Sequence, residues 1–303
     1  MLVVSDEVRK AVVERRPVVA LESTIIAHGL PRPRNLQVAK DLEAAVREEG
    51  ALPATIAVLD GRPLVGLDEE QLARVANEDG IRKLGRRDLP LAVATGASGA
   101  TTVSATALLA ARAGVRVFAT GGLGGVHRQW TVTQDESADL GLLARTRITV
   151  VCAGVKSILD VAATLERLET LGVAVAGYRT NRFPGFYLAD SGHGVDWTLE
   201  TPEEVAAVMR AQDALGGPEA ALIVANPVPS AEQLDPALHA RVLDEALRAC
   251  EERGITGQAI TPFLLDELVR RTEGASLEAN LAAVRGNVRL AGQVAAVWAG
   301  RGR

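Results

Sequence analysis

The strongest constraint on this chain is a recurring unit, in which a short apolar run leads into a polar or glycine-rich turn and then a helix-forming stretch. Pro17–Leu21, Leu91–Thr95, Val115–Thr120, Ile148–Cys152, Val173–Tyr178 and Ala220–Ala225 are such runs. Short runs rich in β-branched residues read as buried strands, and the stretches between them carry helix start and stop signals. Asn35–Glu49 reads as a helix stopped by Gly50, and Val103–Ala113 as one stopped by Gly114. The pattern predicts an α/β fold: a mixed, largely parallel central sheet flanked by helices, an αβα sandwich. Asp60-Gly61, between Ala54–Leu59 and Pro63–Leu67, adds an antiparallel hairpin, because Asp-Gly tolerates the backbone of a tight two-residue turn. Capping signals at Asp68/Gln71, Thr201–Glu204 and Thr261-Pro262 open further helices, and Ser276–Trp298 is largely helical. No repeat, low-complexity tract or linker is present, so residues 1–303 are expected to form a single α/β domain.

Hydrophobic residues make up 48% of the chain but aromatic ones only 3%, so the core is aliphatic. Few aromatic rings on which bases could stack, with a net charge of −5, argue against a nucleic-acid partner. Asp6 and Glu7 interrupt the N-terminus before any apolar leader develops, and no stretch has the length of a membrane span. The expectation is a soluble cytoplasmic protein without a membrane partner. Cys152 and Cys250 lack metal-ligand spacing and read as core residues.

Ligands of open α/β sheets bind beyond the carboxyl ends of the strands, and several chemically capable residues fall there. Glu22 follows the run Pro17–Leu21, where a carboxylate has a capping role or a chemical one. Lys156 follows Ile148–Cys152, and Ser157 with Asp160 reads as a capping box opening a helix to Leu171. The partial positive charge of a helix start disfavours an ammonium and so favours the neutral, nucleophilic amine of a Schiff-base lysine; the other reading is a side chain in water. Asp135 and Asp139 stand four apart, so a helix over Asp135–Ala144 would put both carboxylates on one face. They either cap that helix or hold a hard divalent cation. His127 reads as an acid, a base, a substrate contact or a buried histidine. The cluster Arg82, Lys83, Arg86 and Arg87 is a solvated face or a phosphate contact. Gly96–Thr102 suits an anion at a helix start but lacks the P-loop lysine, and in Gly121–His127 the third glycine of a dinucleotide fingerprint is His127.

Taken together, ALESTIIAHGLP, PATIAVLDG, RRDLP, GATTVSAT, FATGGLGGVHR, DESADL, VVCAGVKSILD, VANPVP and TPFLL resemble the pseudouridine-5'-phosphate glycosidase family, in order and spacing, from about Pro17 to beyond Asn280. The resemblance implies reversible cleavage of the carbon–carbon glycosidic bond of pseudouridine 5'-phosphate to uracil and ribose 5-phosphate. It implies Lys156 as covalent nucleophile at C1' of an opened ribose, Glu22 as proton donor, and Asp135 as the ligand of a divalent metal, Mn²⁺. Ser137, Ala138 and Asp139, with Lys83 and Val103, are implied as substrate contacts, and His127 and Asn280 as contacts to sugar or base. A homotrimer is implied as well. The chain departs from the family pattern at Gln129–Gln134 and at Glu136, where an aliphatic residue is expected. This motivates two alternatives, a Schiff-base lyase for a different phosphosugar or C-nucleoside, and a non-catalytic phosphosugar sensor.

Overall fold

A computed structural model describes residues 2–216 and 219–300. Its backbone is a mixed sheet with helices on both faces. Seven strands form the parallel part, in the order β3 (Leu52–Leu59), β2 (Val18–Leu21), β7 (Val117–Ala119), β8 (Thr149–Cys152), β11 (Leu222–Ala225), β9 (Ala174–Tyr178) and β10 (Thr198–Leu199). Four further strands extend it beyond β3. They are β1 (Val3–Val4), β4 (Arg62–Val65), β5 (Arg82–Leu84) and β6 (Gly99–Thr101), with β4 and β6 both antiparallel to β3.

Side chains alternate between the two faces of a strand, and here both faces are apolar. Val18, Ala20, Phe118, Val150, Cys152, Ile223 and Ala225 pack into one core cluster, with the helices Val103–Arg112 and Pro236–Glu252. Their neighbours Val19, Leu21, Val117, Ala119, Val151, Leu222 and Val224 pack into another, with the helices Arg34–Glu48, Pro202–Leu215 and Ala275–Gly300. Continuous burial explains why these strands appear as unbroken apolar runs. Both cysteines are buried and free, as expected of core residues.

The hairpin forms as the Asp-Gly signal predicts, with φ of 51° at Asp60 and 70° at Gly61. The expected capping box at Asp68 and Gln71 is complete. Three expectations need correction. Leu91–Thr95 is not a strand but part of the helix Leu89–Thr95, with Leu91 and Val93 facing outward. The Asp88 side chain accepts from Gly85 N at 2.8 Å, starting a helical turn that runs into this segment, and the extended strand forms later, at β6. The helix after Lys156 begins at Val161, with Asp160 rather than Ser157 as its N-cap. The helix expected over Asp135–Ala144 begins only at Ala138, because Glu136 is drawn into an antiparallel bridge with Val126. Among the described residues no helix is long and apolar enough to cross a membrane.

Candidate active site

Glu22 and Thr120 directly follow the adjacent strands β2 and β7, and the Thr120 hydroxyl donates to Glu22 Oε1. Glu22 keeps some exposure as a residue, but burial of its carboxyl group raises its pKa above the ordinary 4.5. Lys156, the Thr120 hydrogen bond and Lys83 oppose that rise, whereas Asp139 adds to it. Lys83 is exposed as a residue, but partial burial of its amine lowers its pKa, as does the charge of Lys156, while Asp139 and Glu22 act in the other direction. Two lysines and two carboxylates from four parts of the chain therefore sense one another at the carboxyl end of the sheet.

The turns after β7 and β8 are zipped together. Ala153 N donates to Gly121 O at 2.9 Å, Leu123 N to Gly154 O at 2.9 Å, and Lys156 N to Leu123 O at 3.1 Å. This ladder, not a helix N-terminus, sets the position of Lys156. The expectation that a helix start promotes its neutral amine is thus corrected, since the next helix begins five residues later. From behind, Arg128 donates to Ser157 O at 2.9 Å and to Ile158 O at 3.3 Å, and the buried His239 ring lies 2.7 Å from Ser157 Oγ through Nε2. Burial, then the charge of Arg128, pushes the His239 pKa down to about 4, so the imidazole is neutral at physiological pH. A cavity of about 380 Å³ lies between this histidine, Ser157 and Arg128.

Asp139 is 5% exposed, and both its carboxylate oxygens are occupied: Oδ1 accepts from Ser104 N at 2.9 Å and Oδ2 from Gly124 N at 3.0 Å. It ties the glycine-rich turn to the start of the helix Val103–Arg112. A side chain at Gly124 would collide with Ser137 and come within 2.7 Å of Asp139 Oδ2, so glycine is required there. Ser137 caps the following helix by accepting from Asp139 N, and Ala138 is exposed. The Val103 side chain is fully buried, leaving its backbone as the part able to meet a ligand. Lys83 stands on β5, next to β6, which leads into Thr102 and Val103. Arg82, Arg86 and Arg87 are exposed.

Asp135 and Asp139 do not share a helix face. Asp135 instead lies opposite His127, with His127 N donating to Asp135 O at 3.1 Å and His127 Nε2 lying 3.8 Å from Asp135 Oδ2. Burial lowers the His127 pKa, and the Asp135 charge raises it. Glu136 is clasped by Arg167 through two hydrogen bonds of 3.0 and 3.1 Å, which turns its carboxylate away from a metal-binding role. Among the described residues no group of three or more His, Cys, Asp or Glu side chains is arranged to hold a metal.

The helix Ala275–Gly300 brings two asparagines to the same end of the sheet. Asn287, fully buried, donates to Thr120 O at 2.8 Å and accepts from Asn226, the polar residue that follows β11. Asn280 Oδ1 is buried beside the bare Cα of Gly121 and has no hydrogen-bond partner among the described residues. Sequence reasoning overlooked Thr120, Arg128, His239 and Asn287. Thr120 was accessible through the strand-end rule that singled out Glu22, but nothing local marks a histidine inside a helix.

Residues 7–297 match the family described as Indigoidine synthase A like protein. The chain is 72% identical over 291 residues to a pseudouridine-5'-phosphate glycosidase of Streptomyces griseus, covering 96% of this chain and 90% of that one. A protein of the same description from Salinispora tropica is 58% identical over 295 residues, covering 97% and 91%. Among solved structures, the prealnumycin C-glycosynthase AlnA in complex with ribulose 5-phosphate is 38% identical, with a TM-score of 0.91 and coverage of 99% and 97%. An indigoidine synthase A-like protein of Thermotoga maritima is also 38% identical, with a TM-score of 0.88 and coverage of 97% and 95%.

Proposed function

The chain belongs to the indigoidine synthase A-like family, and we propose that it is a pseudouridine-5'-phosphate glycosidase, cleaving its substrate reversibly to uracil and ribose 5-phosphate. The observation that carries this reading is the convergence of Glu22, Lys83, Asp139 and Lys156 at the carboxyl ends of the strands. An ordinary glycosidase uses two carboxylates and expels an oxygen or nitrogen. Here the leaving atom is carbon, so an amine nucleophile is needed instead.

Glu22, whose raised pKa favours its acid form, gives its proton to the ribose ring oxygen as the C1'–O bond breaks. The electrons for that step come from the uracil ring, which loses its N1 proton and becomes double-bonded from C5 to C1'. Lys156 Nζ adds to C1' through its lone pair, the surplus proton on the nitrogen is lost, and uracil C5 is protonated. The nitrogen lone pair then forms a C=N bond as the C1'–C5 bond breaks, the electrons of that bond pass through the ring to N1, which regains a proton to give uracil, and water hydrolyses the imine to ribose 5-phosphate and free lysine. Lys83 and the backbone at Val103 suit the phosphate, at the start of a helix whose dipole attracts anions. Asn280, with its unpartnered oxygen, offers an acceptor to a sugar hydroxyl or a base N–H.

Asp135 and His127 are the residues that would hold a divalent metal. A carboxylate and an imidazole 3.8 Å apart fit an ion that completes its shell with water and substrate oxygens, as Mn²⁺ or Mg²⁺ does. Such an ion would neutralise charge on the phosphosugar. Incubation with pseudouridine 5'-phosphate and Mn²⁺ should release uracil, and Lys156→Ala should not. Borohydride added with ribose 5-phosphate should attach mass to the peptide carrying Lys156, and unmodified peptide with full turnover in Lys156→Ala would refute the mechanism. The likeness to a C-glycosynthase and the departure at Gln129–Gln134 favour one further reading, the same lysine chemistry on another C-nucleoside. A substrate panel separates the two. A small-molecule partner, a trimeric assembly and a cytoplasmic setting complete the proposal.

A further inference from the structure

At the end of the sheet opposite Lys156, where β2 and β7 begin, lies a cavity of about 520 Å³ whose walls include Arg15, Arg16, Arg116, Arg210, Asp213 and Trp298. Four arginines face one carboxylate in a chain whose net charge is −5. That carboxylate is committed, because Asp213 accepts from Arg116 at 2.9 and 3.2 Å and from Arg147 at 3.5 Å. Arg16 is engaged by Glu14 at 2.9 Å. Arg116 is held over the Trp298 ring at 5.1 Å, which fixes its guanidinium plane.

Two donors are left over. Arg116 Nε and Arg210 Nη1 are buried and have no acceptor among the described residues. A buried polar group without a partner is costly, more so when it is charged, and such orphans call for an explanation. An oxyanion supplies one directly. Guanidinium groups match phosphate oxygens in planar, paired geometry, and the cavity has room beside Trp298 and its aliphatic neighbours for an organic group as well.

We propose that this cavity is a second phosphate-binding site, for a small organic phosphate, separate from the catalytic cleft. Arg210 is its principal free cation, and Arg116 is a preoriented second donor. The site contributes no group to the reaction, and the inference does not depend on which C-nucleoside the cleft accepts.

Calorimetric titration with inorganic phosphate, and in parallel with phenyl phosphate, tests it at ionic strength matched with chloride. The wild-type chain should bind one equivalent more than Arg210→Met, and phenyl phosphate should bind the extra site at least as tightly as phosphate does. Arg210→Lys should retain the extra equivalent with affinity weakened by less than ten-fold. Arg210→Met should fold, since the side chain it removes leaves a buried Nη1 without a partner among the described residues, and its rate of uracil release should equal that of the wild type. Equal stoichiometry and affinity in wild type and Arg210→Met would overturn the proposal. So would loss of binding accompanied by loss of catalysis, which would place the phosphate in the cleft.

Discussion

Replacement of His239 by glutamine tests how the Lys156 turn is held. The residue is 6% exposed, and its ring is hydrogen-bonded through Nε2 to Ser157 Oγ at 2.7 Å. Burial, with the charge of Arg128, lowers its pKa from 6.5 to about 4. At about 1.36 kcal/mol per pH unit, that gap is worth about 3 kcal/mol. The sign follows from which state binds the proton first. The folded value lies below the unfolded one, so the stabilisation is fully present above pH 6.5 and is lost as the pH falls from 6.5 towards 4. Arg128 and Asp244 also line the cavity around the ring, and both are unchanged in the variant. Urea unfolding should therefore show the wild type losing about 3 kcal/mol more than His239→Gln across that window. Glutamine retains a hydrogen-bonding group towards Ser157, so the two proteins should unfold alike near pH 7.5. Parallel stability curves down to pH 4 would refute the argument that this imidazole is held neutral behind the Lys156 turn.

Glu22→Gln should reduce uracil release by about 100-fold or more, the usual contribution of a positioned acid, and a variant with near-normal turnover would remove Glu22 from the mechanism. Because burial raises the Glu22 pKa, its contribution to stability is complete below pH 4.5 and declines as the pH rises through the raised value, so Glu22→Gln should be no less stable than wild type at neutral pH in thermal unfolding. Asp139→Asn leaves a buried N–H of Ser104 or Gly124 poorly paired and should cost about 2–4 kcal/mol in denaturant titrations. It should also shift the Glu22-dependent limb of the pH–rate profile to lower pH, since the Asp139 charge helps to raise that pKa. Gly124→Ala should lower kcat by about ten-fold or more by displacing Ser137 and Asp139, as read from steady-state uracil release. Asp135→Ala should lose metal activation in a Mn²⁺ titration while its stability changes by no more than about 0.5 kcal/mol, as expected of a partly exposed side chain.

The central strands were legible because burial on both faces leaves a continuous apolar signature, visible from Pro17–Leu21 to Ala220–Ala225. The same rule misled at Leu91–Thr95, where an equally apolar run is a helix with Leu91 65% exposed. Periodicity cannot separate a short apolar helix from a buried strand; the distinction came from the turn nucleated by Asp88 upstream. Asp135 and Asp139 were misplaced for a related reason. Four-residue spacing implies one face only if the segment is helical, and the bridge between Val126 and Glu136 makes it extended instead.

The sequence by itself determined that Glu22 and Lys156 stand just beyond buried strands, and its motifs carried the family and the proposal of Lys156 as nucleophile. Those properties are local, written in neighbouring residues and in the order of segments. Only the tertiary structure decided what surrounds them. Lys83 arrives from the antiparallel extension, Asn280 and Asn287 from the last helix, and His239 and Arg128 from distant segments of the chain to brace the turn at Ser157. Lys156, first read as the product of a helix dipole, is placed instead by a backbone ladder between two glycine-rich turns. That ladder joins residues some thirty positions apart, from Gly121–Leu123 to Ala153–Lys156, and pairing of this kind is set by the adjacency of β7 and β8 rather than by any local signal.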